Sequence, residues 1–122
     1  MKKNYILFVL VALFGVANLS FAAQTVKLRV QVPAETKVVY AAGGFNGWST
    51  SATPMAKVQD SPMIFEADIS VPDNVDAGYN FKFLAGPDWQ YEQADPSADF
   101  TFGAVGFTGA IVKSFKKYFM PQ

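Results

Sequence analysis

The chain has 122 residues, with ten basic and ten acidic side chains, 16% aromatic content, and neither cysteine nor histidine. That composition excludes disulfides, cysteine nucleophiles, histidine-based triads and the usual zinc sites. A charge balance this even lacks the basic stripe that nucleic acid requires.

Residues 1–22, MKKNYILFVLVALFGVANLSFA, combine a basic start, one apolar run of signal-peptide length and a small-residue end, with Ser20 and Ala22 obeying the small-x-small rule. They predict a cleavable signal peptide, with an uncleaved N-terminal anchor as the alternative. Without cysteine there is no lipobox. No second apolar run of about 18 residues follows, so the mature domain, residues 23–122, is expected to have no membrane span and to be exported, to the periplasm or the medium. Setting Lys2 and Lys3 aside leaves eight basic against ten acidic residues, a net charge of −2. A mature chain of about 100 residues makes one domain with a real core, held by packing of its Phe, Val and Ile residues.

TVKLRVQV, from Thr25 to Val32, alternates strictly and predicts a half-buried strand with Val26, Leu28, Val30 and Val32 inward and Lys27, Arg29 and Gln31 outward. Pro33 to Lys37 turns the chain into a second strand, Val38 to Ala42, which ends at Gly43 and Gly44. MIFEADIS, Met63 to Ser70, alternates again, with Met63, Phe65, Ala67 and Ile69 inward against Ile64, Glu66 and Asp68. After the polar turn VPDNVDAG comes a strand from Tyr79 to Ala85, with Tyr79, Phe81 and Phe83 on one face and Asn80, Lys82 and Leu84 on the other. Gly86, Pro87 and Asp88 turn it into Trp89. A polar loop, YEQADPSAD, then leads to strand-like Phe100 to Val105. From Ile111 to Phe119 the spacing suits a helix, whereas a sandwich needs a closing strand there; the reading adopted is a strand starting near Ala110. Short strands punctuated by turns predict an antiparallel β-sandwich.

Two carboxylates on one strand face, Glu66 and Asp68, are the only pair that invites a glycosidase reading. On an exposed strand they are expected to line a flat surface without the cleft such chemistry needs, so no catalytic residue is assigned. Asp95 and Asp99 lack the dense oxygen spacing of a calcium loop, and no metal or cofactor is expected. Trp48 and Trp89 both follow glycine-bearing turns at the ends of strands that can lie side by side, near the outward Lys82. Two readings stay open from composition. The indoles fold over the sheet edge and plug the end of the sandwich, or they form a flat platform for a sugar, whose ring offers C–H faces and whose rim offers hydroxyls.

VYAAGGFNGW, then TPMAKV, the strand MIFEADISV and finally YNFKFLAGPDWQYE resemble the glycogen- and starch-binding domain of carbohydrate-binding module family 48. The same module occurs in the β-subunit of AMP-activated protein kinase and in isoamylases and branching enzymes. Two linked motifs carry the resemblance, G-x-F-N-x-W and then Y-x-F-K-F with a turn and W, across about Val26 to Asp95. It implies an early-set immunoglobulin-like sandwich that grips α-glucan, as glycogen, starch or maltooligosaccharide, without catalysis. By position the ligand-binding residues are Trp48, Lys82 and Trp89, while Gly44, Phe45, Asn46 and Gly47 form the structural turn, with Phe45 directed into the core. The family's polar loop of leucine, threonine and asparagine is replaced here by GAVGFTGAIV, where Phe107 and Thr108 are the nearest stand-ins. The alternative function is an exported protein–protein interaction or structural module of an envelope assembly, docking a protein partner through the same face or an open sheet edge.

Overall fold

The computed structural model describes residues 23–72, 80–101 and 109–121. The leader, Tyr79 with the turn before it, and the loop that carries Phe107 and Thr108 lie outside the described residues.

Strand β1, Ala23–Val32, pairs antiparallel along its whole length with β4, Met63–Pro72, from Ala23 opposite Pro72 to Val32 opposite Met63. The alternating sequence dictates this register. Leu28, Val30, Phe65 and Ile69 go to one side and are buried, while Lys27 stands opposite Asp68 and Arg29 opposite Glu66 on the other. Strand β3, Ala56–Asp60, adds to the outer edge of β4, and β8, Ala110–Ile111, joins β1 at Val30 and Gln31, giving a four-stranded sheet in the order β3-β4-β1-β8.

A second sheet has the order β2-β5-β7, from Tyr40–Gly43, Asn80–Leu84 and Phe100–Thr101. Strand β6, Gln93–Asp95, pairs with β9, Ser114–Phe115, and an isolated bridge between Leu84 and Glu92 joins this ribbon to β5. The two larger sheets share one core: Leu28, Val30, Phe65, Ile69 and Val71 from the first meet Val39, Ala41, Phe81 and Phe83 from the second, with Met55, Val112 and Phe115 completing it. The fold is all-β and sandwich-like, with no α-helix among the described residues.

Several expectations need correction. The pairing is antiparallel except for β8, which runs parallel to β1. The segment after Ala110 is neither one helix nor one strand, because two residues pair with β1 and two others with β6. Ile64 and Leu84, expected outward, are both buried, since each lies between two strand neighbours, Ile64 between Gln31 and Gln59 and Leu84 between Tyr40 and Glu92. Strand β3 was not apparent: it is exposed throughout, and a bulge between Lys57 and Gln59 breaks its alternation. The loop YEQADPSAD contains β6, whose Gln93 is fully buried. Its Oε1 accepts the Phe83 N–H at 2.8 Å and its Nε2 donates to the Ala98 carbonyl at 2.7 Å, so the polar side chain completes a sheet edge.

Phe81 is the centre of the aromatic packing, with ring centroids of Phe45, Phe83 and Phe100 at 6.4, 5.6 and 5.9 Å. Phe81→Ala is expected to destabilise the domain by about 3–5 kcal/mol, read as a lowered midpoint in urea unfolding.

Candidate functional site

Strands β2 and β5 are antiparallel, with Tyr40 opposite Leu84 and Gly43 opposite Phe81. The ends from which the two tryptophans follow therefore lie at opposite ends of the pair. The indoles meet because the chain reverses after β2. Gly43 permits the start of that reversal, since a Cβ there would lie 2.5 Å from the Phe81 Cβ. A 3-10 turn, Gly44–Asn46, follows, and Phe45 packs its half-buried ring towards Phe81.

Asn46 ties the reversal together. Its Oδ1 accepts from the backbone N–H of Gly43 and of Ser49, both at 3.2 Å. Its Nδ2 donates to the Ala41 carbonyl at 3.0 Å, to Thr53 Oγ1 at 2.9 Å and more distantly to the Ser49 carbonyl at 3.4 Å. Gly47 then takes a left-handed conformation at φ 68°, and Trp48 follows it at φ 61°. A large side chain in that region costs on the order of 1–3 kcal/mol and persists only where its surroundings impose it. Here the Trp48 N–H donates to the Gly43 carbonyl at 2.9 Å, which holds the strained residue in place.

Trp89 is presented by a second short turn. The Asp88 carboxylate accepts the Trp89 N–H at 2.9 Å, and the turn Trp89–Tyr91 closes with Tyr91 N–H to the Asp88 carbonyl and Glu92 N–H to the Trp89 carbonyl, each 3.1 Å. A latch joins the two loops, with Thr50 Oγ1 donating to the Pro87 carbonyl at 3.1 Å. The result is a pair of indoles with centroids 6.3 Å apart and planes inclined at 34°, still 38% and 40% exposed. Such exposure leaves apolar ring faces open to a partner.

Lys82 lies on the outward face of β5, opposite Ala42, and is engaged. Its Nζ is 2.7 Å from Glu92 Oε2, and Lys116 Nζ is 3.0 Å from Glu92 Oε1. Hydrogen bonds from Lys82 and then from Lys116 hold the Glu92 carboxyl below its ordinary range, against a smaller opposing effect of burial. The sequence reading had the lysine but not this carboxylate; the signal was the bridge position of Glu92, three residues after Trp89, which no spacing rule reveals.

Glu66 and Asp68 lie on β4, in the other sheet. Asp68 bonds Lys27 at 3.0 Å, and Glu66 is paired with Arg29 and, at 3.8 Å, with Lys27. With Thr53, Pro54, Ala56 and Val58 they line a shallow, widely open cleft of about 540 Å³, bounded on one side by residues 52–54. The cleft contains no aromatic side chain. No helix among the described residues is long and apolar enough to cross a membrane.

No model of a known protein family matches this chain, and no curated protein matches its sequence.

Two outcomes are expected. Asn46→Ala should cost about 1–3 kcal/mol in urea unfolding and shift indole emission, because the part-buried groups of the reversal lose their partner. Since the folded Glu92 carboxyl lies below its ordinary 4.5, its contribution is complete above that pH and is lost as pH falls through the folded value. Acidification below about 4.5 should therefore destabilise the native protein more than Glu92→Gln, as measured by unfolding at stepped pH.

Proposed function

We propose that this protein is an exported, non-catalytic binder of α-glucan, built on an early-set immunoglobulin-like sandwich of the carbohydrate-binding module type. The observation that carries the reading is the pair of exposed, latched indoles of Trp48 and Trp89. A glucosyl ring stacks its C–H faces on such a surface, and α-1,4 linkages, which turn successive rings, suit planes that are tilted rather than parallel. Lys82 supplies donors to the sugar hydroxyls from its place beside Glu92. The strained conformation of Trp48 adds support, because backbone strain concentrates where a side chain must be held for a ligand. No cofactor and no reaction enter this reading. The ligand is retained, and affinity for short oligosaccharides falls on the order of micromolar to millimolar, about −8 to −4 kcal/mol.

Titration calorimetry with maltoheptaose tests it, with cellohexaose as the β-linked control. Saturable heat is expected with the α-glucan only, weakened at least about tenfold, or roughly 1.4 kcal/mol, in a folded Trp48→Ala variant. The absence of heat from folded protein at millimolar sugar would overturn the reading in favour of a protein partner for the same face.

A further inference from the structure

The outward face of β5 carries more than one polar group. Leu84 and Glu92 are opposed in an antiparallel bridge, so their side chains leave on the same side of the sheet. Lys82, two residues before Leu84, shares that side, which is why its ammonium reaches the Glu92 carboxylate. The backbone binds Glu92 equally to the aromatic platform, since its N–H closes the turn that begins at Trp89. Glu92 is the extended residue that caps this turn, three positions after Trp89, so its side chain leaves the backbone within one turn of the indole-bearing residue.

We infer that Glu92 is itself a ligand-binding residue, which together with Lys82 forms an acceptor–donor pair that reads two adjacent secondary hydroxyls of a glucosyl unit stacked on the indoles. This rests on the glucan reading above and deepens it. A carboxylate has about four lone-pair sites, and the two lysines occupy one on each oxygen, so one remains on each. The Lys82 ammonium likewise has donors to spare after its bond to Glu92. Neither side chain is sealed off: they are 17% and 19% exposed. Their charged atoms lie 2.7 Å apart, about the separation of two vicinal hydroxyl oxygens, so a diol can donate one proton to the carboxylate and accept one from the ammonium without moving either. Because Glu92 is held ionised by its two lysines, it remains an acceptor throughout the neutral range.

The test is a cycle of two changes, one in the protein and one in the sugar. The purified protein and Glu92→Gln are titrated calorimetrically with β-cyclodextrin and with β-cyclodextrin methylated at its secondary hydroxyls. An ether oxygen still accepts from Lys82 but has no proton to give Glu92. Methylation should weaken native binding about tenfold, Glu92→Gln should weaken binding of the unmodified ring by a similar factor, and the two together should cost little more than either alone. If Glu92→Gln fails to fold, Glu92→Asp, which keeps the charge and withdraws it by one methylene, is expected to follow the same pattern. Equal losses against both sugars, or none against either, would overturn the assignment. Loss of binding in Trp48→Ala with none in Glu92→Gln would overturn Glu92 alone, whereas failure of the native protein to bind any α-glucan would remove the glucan reading and this inference together.

Discussion

A backbone that leaves a strand and doubles back within a few residues strips several amides and carbonyls of their sheet partners, and none can be left buried and unpaired without a cost of about 1–3 kcal/mol. The Asn46 carboxamide meets most of that demand at once, with donors and acceptors on a single planar group. The placement of Trp48 depends on it. The reversal carries Trp48 back along β2, allows Thr50 to reach Pro87 and brings Thr53 to pair with Ala41 before the chain crosses into the other sheet as β3. An aspartate or serine at this position would satisfy part of the set, but only a carboxamide both accepts and donates twice.

Electrostatics on the two outer faces follow different plans. On β1 and β4 the charges are paired directly across the strands, Lys27 with Asp68 and Arg29 with Glu66, and Glu66 also reaches Lys27 on the same neighbouring strand. Around Glu92 one carboxylate serves two lysines that come from separate elements, β5 and the segment after β9. The first arrangement fixes register, whereas the second gathers three distant parts of the chain at one point. That difference is why Glu92 is a candidate for binding and Glu66 is not.

Much of the fold was legible in the sequence where the period of two is unbroken. β1, β4 and β5 declare themselves through Leu28, Val30, Phe65, Ile69, Phe81 and Phe83, all of which are buried. β3 and β6 do not, for opposite reasons: a bulge and an open edge erase the alternation of Ala56–Asp60, while Gln93 is buried by virtue of hydrogen bonds that no hydropathy pattern registers. Likewise, a shared surface for Trp48 and Trp89 was legible in the sequence, but the route by which they meet was not. Strand ends alone would set them apart, and the fold-back that unites them is a property of hydrogen bonds made by Asn46. The outward face of Lys82 followed from parity, and its engagement by Glu92 required the turn at Trp89 to be seen.

The pairing of β8 with β1 has a consequence for how the domain comes together. Val30 meets Ala110 eighty positions along the chain, and five residues later Phe115 sits opposite Gln93 in a different sheet. The C-terminal segment is thus a clasp laid across layers that are otherwise formed by earlier residues. A contact between such distant positions pays a large loop-closure entropy and returns only a short stretch of ladder, so it gains its strength from Val112 and Phe115 seating in a core already assembled. Such a clasp is expected to close late in folding and to open early in unfolding. Since Lys116 is carried at the end of it, the charge environment of Glu92 is complete only in the fully closed molecule.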